Sequence, residues 1–417
     1  MQNLYKTLKE VFGIFTTVQR KKYWIYLSLF ILAAILEILG LSLIFILLNL
    51  MVLGKSIITF SIININIEEI SHNYKTIVLL SVVFLYFLKS AFLSIFFWSQ
   101  NKFINDVEID IAKKLFLGYL LNPLKFHLNT NSSELIRNIT VETGQFAGGF
   151  LTNSLLFFKN LFLFIFLFIF LVSIDLKVTF FVFTLLFILG YIFQSIMSKR
   201  NLKWGKDRQI QAGLRIRSLQ EAFQGIKTIK VFEKEYFFFN RLIPILERIN
   251  RIRLIQVFFK SLPRIWFEFL AVLGLVLFII LYQEGNKEFI NIIPILGVLA
   301  LVLVRLLPAI TGMLNNFQHF DYSVASMLKI KNDLKYLEKN KIKEKNISTK
   351  FQNKIEFKNL TFKYKDDSSF ILNKINIEIK KFESVGIYGK SGAGKSTFLN
   401  LILGLLEPTS GSILIDG

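Results

Sequence analysis

Nine consecutive residues, Gly389-Lys390-Ser391-Gly392-Ala393-Gly394-Lys395-Ser396-Thr397, satisfy the phosphate-loop pattern G-x-x-x-x-G-K-[ST]. The chemistry such a run can do is anion capture. Gly389, Gly392 and Gly394 let successive backbone N–H groups turn inward around phosphate oxygens, and Lys390 and Ser391 contribute mainly through their backbone. Lys395 would reach the terminal phosphates of a nucleotide such as ATP, and the Ser396 hydroxyl would ligate Mg2+. Thr397 completes the motif inside the helix that follows.

The flanks predict the elements that hold this loop. Ser384-Val385-Gly386-Ile387-Tyr388 is an apolar run that reads as a buried strand leading into it. Lys395 through Leu406 places Phe398, Leu399, Ile402, Leu405 and Leu406 at helical spacing. Strand, glycine loop and helix N-terminus together would aim a helix dipole and free N–H groups at the phosphates. A plain glycine-rich turn before a core helix is the alternative, and motif and flanks together weigh against it.

Composition sets the class of the rest. Of 417 residues, 53% are hydrophobic and 46 are Phe, and the mean hydropathy is +0.52, too apolar for a soluble chain of this length. The absence of cysteine excludes disulfides, thiolate metal sites and cysteine catalysis. Six apolar stretches are long enough to cross a bilayer: Tyr23–Leu48, Thr76–Trp98, Asn153–Val172, Val178–Ser195, Ile265–Tyr282 and Ile290–Leu307. Ser173-Ile174-Asp175-Leu176-Lys177 makes a tight hairpin of the third and fourth. The first is too long for a cleavable signal.

Fifty Lys and Arg against 29 Asp and Glu give a net charge of +21. The basic residues gather before span one (Lys6, Lys9, Arg20, Lys21, Lys22) and between spans four and five (Lys199, Arg200, Lys203, Lys206, Arg208, Arg215, Arg217). By the positive-inside rule both termini face the cytoplasm. That location accounts for the charge without nucleic acid, for which there is no aromatic–basic pattern. The connections after spans two and four keep helical periodicity (Val107, Ile111, Leu115; Leu219, Phe223, Ile226), so the spans are expected to continue outside the membrane. Pro123–His127 and Gly225–Phe232 would be the tips of these excursions.

The expected organisation is a transmembrane domain with long helical loops over 1–328, a charged linker over 329–353, and a soluble α/β part from 354 to 417. The last of these opens with alternating Ile355, Phe357 and then Ile375, Ile377, Ile379, read as strands. Three charges fall inside apolar spans: Glu37 in the first, Lys89 in the second and Arg305 near the end of the sixth. Such residues are costly in hydrocarbon unless paired or facing water. Two readings stand side by side. The three line a polar cavity for an anionic head group such as pyrophosphate, or Glu37 and Lys89 form a structural pair while Arg305 snorkels to the interface. His72, His127 and His319 show no ligand spacing and read as ordinary surface or packing residues.

Spans, long loops and a terminal phosphate loop together resemble the ABC exporter half-transporter, a six-span permease fused to an ATP-binding cassette. Phe357–Tyr364 is similar to that family's opening strand, and Leu403–Gly417 is equally typical. The resemblance implies that Tyr364 stacks on adenine. It also implies that Ser133–Thr140 and Gly225–Phe232 dock on nucleotide domains and transmit their closure. A narrower likeness, to flippases of lipid-linked oligosaccharides, rests on Leu262–Glu268 and Arg305–Pro308, with Glu37 and Lys89 fitting it too.

What the resemblance implies is an α-helical membrane domain followed by an incomplete α/β P-loop nucleotide-binding domain. The family's glutamine loop, signature, Asp-Glu strand and switch histidine would follow the phosphate loop, and only 20 residues come after Thr397. No catalytic residue for hydrolysis is therefore expected in this chain, which reads as truncated and inactive alone as an ATPase. For the full-length protein, the implied activity is ATP-driven export of a lipid-linked or amphipathic substrate. It would act as a dimer, in the first instance a homodimer, in the bilayer of a bacterial inner membrane. Export of peptide or glycolipid is the alternative within the class, and a non-hydrolytic degenerate membrane protein the alternative outside it.

Overall fold

A computed structural model describes residues 12–52, 57–59, 64–66, 72–172, 176–283, 293–339, 351–364 and 370–417. In chain order, α1 is Thr17–Val52, β1 Ile57–Thr59, β2 Asn64–Asn66, α2 His72–Leu120, α3 Leu124–Asn129 and α4 Ser132–Arg137. Two π-helical turns, Asn138–Glu142 and Gln145–Leu151, lead into α5 (Thr152–Val172), then α6 (Leu176–Gln224), α7 (Ile226–Val231), α8 (Glu235–Gln283) and α9 (Ile293–Lys339). The remainder is β3 (Lys354–Phe362), β4 (Leu372–Lys380), α10 (Lys395–Ile402) and β5 (Ser410–Ile415).

The long helices are as expected. Three of them, α2, α6 and α8, each run 49 residues, about 73 Å at ~1.5 Å per residue. That is more than twice a bilayer core of ~30 Å. Thr17–Ile44, Leu79–Leu120, Gln145–Val172 and Ala300–Lys339 are long and apolar enough to cross a membrane among the described residues. The expected fourth and fifth spans lie wholly inside α6 and α8. The hairpin turn between spans three and four falls at 173–175, outside the described residues, and Leu176 already opens α6. The antiparallel pair β1–β2, with Ile57 opposite Asn66, carries no alternating pattern that sequence reading caught.

The chain forms two compact units, one of 136–334 with the described residues before 115, the other of 115–135 with those from 335 on. In the first, α1 starts at a reciprocal cap: Thr16 N–H donates to Gln19 Oε1 (3.0 Å) and Gln19 N–H to Thr16 Oγ1 (3.3 Å). Its core joins Leu41 of α1, Leu167 and Phe170 of α5, Phe183 of α6, Phe267 of α8 and Leu306 of α9. Phe84 and Phe87 on α2, Phe187 on α6 and Phe269 on α8 point outward, as lipid-facing side chains do.

Beyond the apolar core this unit holds a buried ionic network. Glu142 is fully buried, with Arg208 Nη2 at 3.0 Å from one carboxylate oxygen and Arg137 Nε at 3.5 Å from the other. The same Arg208 nitrogen donates to Ser326 Oγ (2.7 Å), Asn138 Nδ2 donates to Asp333 Oδ2 (2.8 Å) and Gln145 Nε2 to Ser323 Oγ (2.7 Å). Three elements distant in sequence, the π-helical segment, α6 and α9, are thereby tied together. Gly205 allows the close approach, because a Cβ there would run into the Tyr322 carbonyl.

In the second unit, β3 is central in a three-stranded antiparallel sheet of order β4-β3-β5, with Phe357 opposite Ile377 and Ile413. The alternating isoleucines expected as strands are β4. One face carries α10, with Phe357 and Phe398 rings 5.0 Å apart. Leu124 of α3 packs on this core. Phe126 stacks on Tyr119 and Tyr336, and His127 Nε2 lies 2.9 Å from the Tyr119 carbonyl.

β5 is latched to the start of β3 by Asp416. Its carboxylate accepts backbone N–H bonds from Gln352 (2.6 Å), Lys354 (2.9 Å) and Asn353 (2.7 Å), and these hold its pKa below the ordinary aspartate value. With the folded pKa depressed, the latch contributes fully above the unfolded value near ~3.9 and is lost as pH falls through the folded one. Hydrogen exchange at amides 352–354 is expected to show protection at neutral pH that disappears in acid. Asp416→Asn should lower that protection at neutral pH and flatten its pH dependence.

Candidate functional site

β4 ends in a tight turn, where Glu383 Oε2 accepts the Lys380 N–H (2.8 Å) and Phe382 takes φ +67°. The run Ser384–Tyr388 follows, and here the structure departs from expectation. It is not a paired strand, and Val385, Ile387 and Tyr388 are exposed. A strand needs hydrogen-bonding neighbours, and among the described residues the three strands of the sheet pair only with one another. Apolar sequence alone supplies no neighbour.

The loop itself has the expected shape. Gly392 (φ +83°) and Gly394 (φ +85°) are left-handed, and Gly394 caps α10. The first turn of α10 leaves its N–H groups without intrahelical partners, facing the loop's concavity. Lys395 Nζ donates to the carbonyls of Gly389 (2.6 Å) and Lys390 (2.9 Å), so its ammonium spans the loop. Ser391 and Ser396 are exposed, and Ser396 can offer its hydroxyl to a metal–phosphate group. Thr397 is buried, and its hydroxyl is 3.2 Å from the Tyr364 hydroxyl. Tyr364 also meets Phe362 edge to face at 5.0 Å, which ties the tyrosine to the end of β3.

The helix is shorter than its apolar pattern predicts. It ends at Ile402, Leu403 caps it and Gly404 turns left-handed. Thr397, Phe398 and Leu401 form the buried face, whereas Leu399, expected inside, is exposed. An alanine Cβ at Gly394 would stand 2.9 Å from Ile371 Cγ2 and 3.2 Å from the Ile371 carbonyl. Gly394→Ala therefore combines a clash with a left-handed cost of ~1–2 kcal/mol. Hydrogen exchange across 389–402 should accelerate in that variant and nucleotide binding should fall.

A second cluster lies in the membrane unit. Lys89 Nζ pairs with Glu37 Oε2, and Arg305 Nε sits 2.9 Å from Glu37 Oε1, at ion-pair distance without hydrogen-bond alignment. Glu37 and Lys89 are buried, whereas the Arg305 side chain keeps 46% of its surface. Lys89 also lies over the Tyr86 ring at 4.9 Å, and Tyr86 packs on Gly40 one helical turn from Glu37. The three charges singled out from sequence therefore meet. Tyr86 was missed because a tyrosine in an apolar run carries no signal. Lys159 was also missed, although a lysine inside Leu155-Leu156-Phe157-Phe158-Lys159-Asn160-Leu161-Phe162 is conspicuous. Glu142 escaped notice because nothing local marks a carboxylate as fully buried.

Membrane helices extended by long apolar-faced arms, followed by a phosphate loop on a small sheet, define a nucleotide-linked membrane transporter fold. Residues 23–283 match the family model described as "ABC transporter transmembrane region", and residues 372–417 that described as "ABC transporter". The chain belongs to the ABC transporter family. It is 25% identical over 328 residues to the ATP-dependent lipid A-core flippase 1 of Colwellia psychrerythraea, covering 75% of this chain and 53% of the flippase. It thus spans about half of that relative's length. A 56-residue stretch is 52% identical to the leukotoxin translocation ATP-binding protein LktB of Mannheimia glucosida, 13% of this chain and 8% of that protein. The solved structure of a bacterial Atm1-family ABC exporter with ATP bound shares the fold, with a TM-score of 0.71 and 17% identity over 96% of this chain and 68% of that one.

Proposed function

We propose that this chain belongs to an ATP-driven exporter half that works as a dimer and moves a lipid-linked or amphipathic substrate outward across a bacterial inner membrane. The observation that carries the reading is the loop at Gly389–Thr397, with left-handed Gly392 and Gly394 and Lys395 poised across it, on one chain with apolar helices. Bound ATP would supply the binding energy, and its hydrolysis the reset, of a conformational cycle. Lys395 and the first-turn N–H groups of α10 would hold the β- and γ-phosphates, and Ser396 the Mg2+. Tyr364 would flank the base while its hydroxyl steadies Thr397.

For the substrate, the charge cluster supports an anionic head group. Glu37 already neutralises Lys89, and Arg305 is left half-exposed with charge to spare. The match to a lipid A-core flippase over 75% of the chain points the same way. The match to a toxin exporter covers only 13% of the chain and says nothing comparable about cargo. Exposed Phe223, Val231, Phe232 and Tyr236 around α7 offer an apolar tip for a second half-transporter.

Photolabelling of the membrane-reconstituted chain with 8-azido-ATP and Mg2+ tests the nucleotide reading. Labelling is expected, and Lys395→Ala should reduce it by at least about tenfold, since each ~1.4 kcal/mol of lost phosphate contact is one decade. Equal labelling of both chains would refute it.

A further inference from the structure

We infer that α5 and α6 together carry a binding site for one acyl chain of a bilayer phospholipid, seated in a phenylalanine-lined slot on their lipid-facing side. The slot shares no residue with the phosphate loop or with the Glu37–Lys89–Arg305 cluster.

Phe180, Phe183, Thr184 and Phe187 recur at helical spacing, so they share one face of α6. Across from them stand Phe164, Ile165 and Phe168 of α5, and the two sets enclose a cavity of about 300 Å³. Phe183, the buried member, is the floor, with the Phe164 and Phe168 rings 4.8 and 4.9 Å away at 51° and 68° to it. Ile165, Phe180 and Phe187 are exposed and form the rims. Phe168 and Phe180 each lie four residues from the adjoining helix ends, Val172 and Leu176, and Phe164 and Phe187 lie eight and eleven. The slot therefore runs from about 6 to about 17 Å from those ends at ~1.5 Å per residue, close to the ~15 Å that is half of a bilayer core.

Among the described residues nothing charged lines the slot, and Thr184 is its one polar side chain. An ordered water needs several polar partners, so water is not a stable occupant. A charged or polar ligand would likewise be left without partners. Hydrocarbon remains, and the slot opens on the same outward surface as Phe187, which faces lipid. In a bilayer no release of water drives such binding. Contact drives it, because an unfilled slot forfeits dispersion energy along its whole lining. Shape then selects the kind of hydrocarbon. The inner rings meet at steep angles, so the floor is ridged. A flexible chain lying along the helices follows the ridges bond by bond, whereas a flat polycycle would rest only on their crests. The slot's extent within one leaflet also matches a chain that hangs from a head group at the membrane surface.

The test titrates the full chain, purified in maltoside micelles, with phosphatidylcholine carrying a diazirine in one acyl chain, and maps the photolabelled peptides by mass spectrometry. Phe84 and Phe87 on α2, which also face outward, serve as the internal reference. Labelling within 164–168 and 180–187 should saturate and exceed the reference several-fold. Unlabelled phosphatidylcholine should suppress it, and cholesterol should not. Thr184→Phe, which fills the slot from an exposed position, should bring its labelling down to the reference level and leave the reference unchanged. If that variant fails to fold, Phe187→Ala, which takes away one rim, should lower the labelling in its place. Slot labelling that never exceeds the reference, or that neither variant reduces, would overturn the site. Suppression by cholesterol in place of phosphatidylcholine would overturn the acyl chain as occupant. An unlabelled slot in a chain that cross-links to a second copy through 164–187 would make this face an interface between copies and overturn the inference as well.

Discussion

Replacing Glu37 by alanine is expected to destabilise the membrane unit by about 3–5 kcal/mol, the cost of leaving a buried cation without its counter-ion. Lys89 is 7% exposed in its side chain and has no room to reach water without disturbing the α1–α2 contact. Arg305 loses the same partner but is half-exposed and suffers less. The double variant Glu37→Ala/Lys89→Met should recover most of the loss, because removing both charges removes the desolvation penalty along with the attraction. Thermal unfolding in detergent, followed through the tryptophans, reads both effects. If Glu37→Ala melts with the wild-type chain, the pair is not structural and its residues are free for substrate alone. If the double variant stays as unstable as the single one, packing rather than charge is responsible.

The second large effect is expected at Glu142. Alanine there removes the carboxylate that faces the Arg208 guanidinium, whose side chain is 11% exposed, while Arg137 keeps its bonds to Asn138 Oδ1 and the Gln209 carbonyl. A loss of about 3–5 kcal/mol follows by the same reasoning. It should differ from the Glu37 case in where it acts. The network joins the π-helical turns to α6 and α9, so hydrogen exchange should rise at 138–151 and around Ser323 and Ser326 while the α1–α2 contact is unaffected. Glu142→Gln keeps shape and one acceptor and should lose less. Uniform acceleration throughout the unit would mean that the network supports the whole bundle rather than this junction.

The phosphate loop was legible because its geometry is local. Two glycines that can turn left-handed, a lysine long enough to curl back on Gly389 and a helix-starting sequence lie within nine residues. The long helices were legible because run length and periodicity need no partner. Ser384–Tyr388 was misread for the opposite reason: strand pairing is a relation between segments, and no amount of Val and Ile in one segment provides the other. Leu399 was misplaced because the face α10 turns to the sheet is set by the packing of Phe398 on Phe357, which puts Thr397, Phe398 and Leu401 inside. Leu124 meets the sheet core because the short α3 begins immediately after Pro123, a start the apolar pattern does not announce.

By itself the order of residues determined the membrane class, the phosphate loop with its cations and hydroxyls, and the identity of three charges that do not belong in hydrocarbon. Only the tertiary structure decided that Glu37 pairs with Lys89 and touches Arg305, that Glu142 is sealed between two arginines, and that Lys159 faces the Phe97 ring. The physical reason is the range of the forces. Hydrophobic periodicity and backbone freedom act within a few residues, whereas an ion pair depends on the relative register of helices whose charges stand 52 and 268 residues apart along the chain.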